Sequence, residues 1–152
     1  MKQAFQKTVT SLLLLAVVLT ACKKTHVKTK TELLTQTTWK FNKATAMGSD
    51  VSSQIPSCFK DNIITFVSNG TGTINESIDI CVPPTTGNFT WSFQTNETMI
   101  NLSLPLLPGG SGSFTIVTLN ATNLVISQQM SIQLLPAPLP PTLVTVEITF
   151  IH

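Results

Sequence analysis

The chain has no arginine, two histidines, three cysteines and few charged residues of either sign, 11% in all. Each scarcity excludes something. Without arginine, and with just Lys40, Lys43 and Lys60 among the basic residues beyond Glu32, the folded part lacks the basic footprint of a nucleic-acid binder. His26 and His152 lie near opposite ends of the sequence, so no paired imidazole ligands and no central histidine base are available. Nucleophile elbows and phosphate-binding glycine loops are missing as well, since Gly109-Gly110-Ser111-Gly112 precedes a strand pattern rather than a helix. Glu76 and Asp79 have opposite parity on an extended segment, which keeps them from converging as an acid/base pair. The expectation is a protein that is not an enzyme and holds no cofactor or metal.

A long apolar run is also lacking, because Val9 to Leu19 is about half of the roughly 20 residues that a bilayer-spanning helix needs. It does have the build of a secretory signal. Lys2 and Lys7 give the basic start, the apolar core follows, and Leu19-Thr20-Ala21-Cys22 ends it. That ending resembles the lipobox of bacterial lipoproteins, in which cleavage before the cysteine leaves it as the acylated first residue. The resemblance implies residues 1–21 as signal peptide and Cys22 as the lipid attachment site. Lys23, Lys24, Lys28 and Lys30 make residues 22–31 a basic tether, suited to anionic headgroups or to a solvated spacer. The remainder, 32–152, carries all seven carboxylates and is mildly acidic.

About 120 residues fit one domain and leave no room for a second. In an exported chain whose Cys22 is acylated, Cys58 and Cys81 are the remaining pair, and a disulfide between them is expected. It would stabilise the domain by about 3 kcal/mol on the chain-entropy account. A metal pair or a reactive thiol is the alternative, though neither cysteine has a histidine nearby in sequence.

Period-two alternation dominates the domain. It is found at Trp39/Phe41, Ile64/Phe66, Phe89/Trp91/Phe93, Ile100/Leu102/Leu104, Phe114/Ile116, Leu124/Ile126 and Val144/Val146/Ile148/Phe150, and a short segment from Thr71 to Ile80 adds an eighth strand. Ser68-Asn69-Gly70, Asn96-Glu97 and Asn120-Ala121-Thr122-Asn123 read as tight turns. Helical periodicity is confined to a single turn near Ser49 to Gln54. An all-β, eight-stranded antiparallel up-and-down barrel accounts for this with no open edge. A two-sheet β-sandwich is the alternative.

The opening Leu33-Leu34 with Trp39-Lys40, the block Cys58-Phe59-Lys60-Asp61-Asn62, Thr65-Phe66 leading to Asn69-Gly70-Thr71, Cys81, and Asn88-Phe89-Thr90-Trp91 together resemble the lipocalin-like domain of small Bacteroidetes-type lipoproteins. The resemblance runs from about Leu33 to Phe150 and implies a calyx-like barrel. Strand order then places the connections 48–61, 81–87, 105–112 and 131–142 at one end and the tight turns, with the tether, at the other. If the shared parity of Phe66, Trp91, Ile100 and Phe114 faces inward, these four line a site for a small lipophilic ligand. Leu106, Leu107, Leu135 and Leu139, in proline-rich loops, are the expected access or partner residues. The other reading is a filled barrel whose apolar loops dock an envelope protein. Lys23 and Lys24 stand where surface-exported relatives carry acids, which points to an outer-membrane anchor facing the periplasm.

Overall fold

A computed structural model describes residues 26–132 and 142–152; Cys22, Leu135 and Leu139 lie outside them. Nine strands form one sheet: β1 (Thr38–Ala46), β2 (Ser49–Asp50), β3 (Ile63–Val67), β4 (Thr71–Asn75), β5 (Gly87–Gln94), β6 (Met99–Leu102), β7 (Ser113–Leu119), β8 (Asn123–Ile132) and β9 (Thr142–Ile151). Neighbours pair antiparallel from β3 through β9, β1 pairs with β3, and β9 returns to β1. That last pairing, Lys40↔Ile151 through Ala46↔Val146, closes eight strands into a barrel and rules out the sandwich. β2 is a two-residue hairpin extension on the end of β1.

The alternation seen in the sequence becomes an inside and an outside. Val144, Val146, Ile148 and Phe150 on β9 are buried while Thr145 and Glu147 are exposed. β3 and β4 alternate in the same way, with Ile64, Phe66 and Ile74 inward. Each large aliphatic or aromatic side chain taken fully out of water contributes about 1.5–3 kcal/mol, so this one lining is the main source of stability. Register shifts at Phe41/Lys43 and at Ile116/Thr118 add the local bends by which a twisted sheet closes. Gly72 is buried inside this wall for a steric reason. A Cβ there would come within 2.3 Å of the Phe89 ring and 2.6 Å of the Thr65 carbonyl oxygen, so the Phe89 ring occupies the space a side chain would fill.

β4 stops at Asn75 instead of running on to Ile80, as its alternation had suggested. The N–H groups of Ile78 and Asp79 donate to the Asp61 carboxylate rather than to a neighbouring strand. The turn expected near Ser49 to Gln54 is a short 3-10 helix at Ser52–Gln54. Two short helices were not legible: α1 (Lys30–Leu34) and α2 (Ser57–Lys60). α1 starts from a capping box in which Thr29 and Glu32 satisfy each other's backbone N–H groups, so helical structure reaches into the segment assigned to the tether.

α1 seals one end of the barrel. Leu34 is fully buried, and its carbonyl accepts the Trp39 indole N–H at 2.8 Å. Lys30 Nζ donates to the Glu97 carbonyl in the β5–β6 turn, and Gln36 Nε2 donates to the Ala121 carbonyl in the β7–β8 turn at 2.9 Å. The His152 ring lies on Trp39 with centroids 3.9 Å apart. The long connections meet at the opposite end, which is the mouth.

Candidate functional site at the barrel mouth

The β1–β3 connection (47–62) and the β4–β5 connection (76–86) are tied together at the mouth. Cys58 and Cys81 form the expected disulfide, with Cα atoms 5.2 Å apart. Asp61 accepts the Ile78 and Asp79 N–H groups, each at 2.8 Å, and Glu76 accepts the Thr85 N–H at 2.7 Å, its hydroxyl at 2.8 Å and the Cys81 N–H at 3.2 Å. Ser57 donates its hydroxyl to the Asp79 carboxylate. These donors stabilise the ionised carboxylates. The Asp79 and Ile78 N–H groups hold Asp61 below the usual carboxylate range, and the Thr85 N–H does the same for Glu76. Both acids are structural staples, held ionised and already hydrogen-bonded.

Pinning one side of residues 76–86 turns the other side outward. Ile78, Ile80 and Val82 are 92%, 64% and 96% exposed, although their spacing of two would suit the inside of a strand. Met47, at the end of β1, and Leu143, at the start of β9, are also exposed at this end. The rim of the mouth is therefore apolar.

The four residues expected to face inward are found together. Phe66, Trp91, Ile100 and Phe114 all belong to one buried cluster, with Ile100 opposite Phe114 in the ladder. Phe66 packs edge-on against Phe89 and Trp91, and Trp91 against Phe93, at centroid distances of 5.3–5.8 Å. Trp91 Nε1 donates to the Val67 carbonyl at 3.1 Å and the Thr71 carbonyl at 2.9 Å, next to the tight β3–β4 turn. Its ring is thus packed towards the sealed end, away from the mouth. Leu106 and Leu107, expected as access or partner residues, are buried at 7% and 3% exposure. Their loop folds inward because burying two leucines in the open barrel top removes more apolar surface from water than leaving them on the rim.

What this plug leaves open is a cleft of about 350 Å³ beside it, lined chiefly by Val51, Ile55, Pro56, Leu107, Met130 and Val146, with Gln54 and Ser131 as its polar members. That volume and apolar lining suit a small lipophilic molecule. A second hollow of about 430 Å³ lies on the outer wall over Gly72, between Thr71, Thr73, Asn88, Thr90 and Ser103, and is rimmed by hydroxyl and amide groups. Sequence reasoning did not single out Val51, Ile55, Met130 or Val146 as site residues. Met130 and Val146 were readable in principle, since they continue the inward parity of Leu124/Ile126 and of Val144/Ile148. Gln128, opposite Val146 in the ladder and 7% exposed, is buried one inward position deeper than Met130.

Among the described residues, no three histidine, cysteine, aspartate or glutamate side chains converge to hold a metal ion, and no helix is long and apolar enough to cross a membrane. A search of curated proteins finds no match to this chain. The family model of the lipocalin-like domain matches residues 36–126, from just before β1 through the first half of β8. A closed eight-stranded barrel with one sealed end, an apolar mouth and that match over more than half its length place the chain in the lipocalin-like domain family.

Proposed function

We propose that this is a lipid-anchored binding protein of the bacterial cell envelope that takes a small lipophilic ligand into the cleft at its mouth. The observation that carries the binding reading is the cleft itself, walled by Val51, Ile55, Pro56, Leu107, Met130 and Val146 at the open end of a barrel sealed at the other. Catalysis is not part of the reading. Asp61 and Glu76, two of the acids in the mouth connections, each accept backbone N–H groups.

Methionine methyl groups give a direct test, because Met130 lines the cleft, Met47 lies on the rim and Met99 begins β6 at the sealed end. In the chain carrying Cys22→Ala and labelled with 13C at the methionine methyls, a medium-chain lipophile should shift Met130 saturably and leave Met99 unmoved. If fatty alcohols, sterols and methyl ketones all leave Met130 unchanged, the ligand reading fails. The exposed Ile78, Ile80 and Val82 would then favour a protein-docking role.

The anchor rests on Cys22 following Leu19-Thr20-Ala21. Several acyl chains on one residue hold far better than the marginal attachment one chain provides. Cys22→Ala should move the protein from the membrane fraction to the soluble fraction. Sedimentation of the variant with membranes after a high-salt wash would refute the anchor.

A further inference from the structure

The mouth cleft is graded from inside to outside. Leu107 and Val146 are its most buried members, Val51, Ile55 and Met130 are half-buried along its walls, and Gln54 and Ser131 stand exposed at its opening. The backbone sets both polar positions. Gln54 ends the 3-10 helix at Ser52–Gln54, and its N–H donates to the Val51 carbonyl at 2.9 Å, which puts residues 51 and 54 one turn apart on the same face. Val51 lines the wall while Gln54 carries an amide to the edge. Ser131 follows Met130 on β8 and pairs with Leu143, so the end of this strand brings a thioether to the wall and a hydroxyl to the opening.

None of the described residues that line the cleft is ionisable. The charges of the adjoining connection offset one another. Asp50 accepts the Ser52 N–H at 2.8 Å, and Lys60 donates to the carbonyl of the same residue at 3.5 Å, so opposite charges meet on Ser52. Glu147, next to Val146, faces outward by strand parity. A charged group entering the cleft would therefore shed water without gaining a countercharge from the lining, which is costly. The polar side chains that do stand at the opening are an amide and a hydroxyl, and each can both donate and accept a hydrogen bond.

Resting on the ligand reading above, we infer that the ligand is a neutral amphiphile with a hydroxyl head, and that Gln54 and Ser131 take this head at the opening while the tail lies among Leu107, Met130 and Val146. A hydroxyl donates and accepts as its two partners do, and it carries no charge to desolvate. The cleft, at about 350 Å³, is at the lower end of the roughly 300–1,000 Å³ of ligand pockets, which limits the tail to medium length. Gln54 and Ser131 are then the specificity-determining residues of the site, and the apolar wall supplies affinity without choosing among heads.

The test uses three probes that share a decyl chain, namely decanol, undecane and undecanoate, with the Met130 methyl shift as readout. Gln54→Met keeps the length of the side chain and removes its amide, and Ser131→Ala removes the hydroxyl. Both positions are exposed, so the fold should tolerate either change. Each should lower the affinity for decanol relative to undecane about fivefold, the worth of one neutral hydrogen bond. Gln54→Lys puts a cation where the head is placed, and should raise the affinity for undecanoate relative to undecane about tenfold. A decanol-to-undecane ratio that either removal leaves unchanged, an undecanoate affinity that Gln54→Lys does not move, or wild-type protein that binds undecanoate as tightly as decanol overturns this inference while leaving a lipophile site standing. Failure of all three probes to shift Met130 overturns the ligand reading itself, and this one with it.

Discussion

The two ends of this barrel are closed by different physics. At the sealed end, α1 lays Leu34 over the core, Trp39 is wholly buried with its indole N–H satisfied, and Lys30 and Gln36 reach across to the carbonyls of two turns. Apolar burial and hydrogen bonding reinforce one another there. At the mouth, one disulfide and two carboxylates pin the connections from the side, and the same pinning turns Ile78, Ile80 and Val82 out to water. One end is held by what it buries, while the other is held by staples that leave apolar surface free. A fold that must carry a site can thus keep its rigidity where the strands begin and end and place its exposed hydrophobic groups where a ligand would arrive.

The comparison is broken most severely at Trp39. Trp39→Ala would leave a large cavity under α1 and orphan the Leu34 carbonyl, and should destabilise the domain by about 3–5 kcal/mol. Chemical denaturation should show one cooperative transition at a lower midpoint. Two separated transitions would mean that the sealed end is not the keystone of the barrel.

Replacing both Cys58 and Cys81 with serine should cost about 2–4 kcal/mol. Its distribution is the sharper question. Amide hydrogen exchange should accelerate in residues 76–86 and hardly change around Trp39 and Leu34. Uniform acceleration along the chain would show that the staple serves the whole barrel rather than the mouth.

The smallest effect is the dependence on acid. Because N–H donors lower the Asp61 and Glu76 carboxyls in the folded state, their contribution is complete above the ordinary carboxylate range, about pH 4. It is lost as the pH falls through the lowered folded values. The melting temperature should decline on acidification below about pH 4, and Asp61→Asn should make that decline shallower. An unchanged acid limb in the variant would remove Asp61 from the staple.

The barrel was legible because period-two burial is written into β3 to β6 and β9, and Val144 to Phe150 could hardly be read otherwise. The disulfide followed from the expectation of export and the cysteine count. The mouth was much less legible, for reasons that can be named. Ile78, Ile80 and Val82 alternate like a strand, but whether such a segment pairs depends on who takes its N–H groups, and Asp61, distant in sequence, takes two of them. Whether Leu106 and Leu107 fold inward or stand out was open in the sequence because a proline loop carries no local sign of either; their burial is a property of the space above the barrel. α2, four residues long, is shorter than any periodicity can register. Gln128 did leave a trace, as the one polar residue in the inward series from Leu124 to Met130.

The stacking of His152 on Trp39, with Gln36 Nε2 3.0 Å from the same imidazole, brings the last residue of the domain against its first elements. The domain's two ends could therefore be joined by a short linker, and circular permutants opened in the Asn96 or Asn120 turns would keep every strand neighbour of the native barrel. For the same reason, a reporter fused after His152 would emerge on the sealed side, leaving the mouth unobstructed for any assay of what enters it.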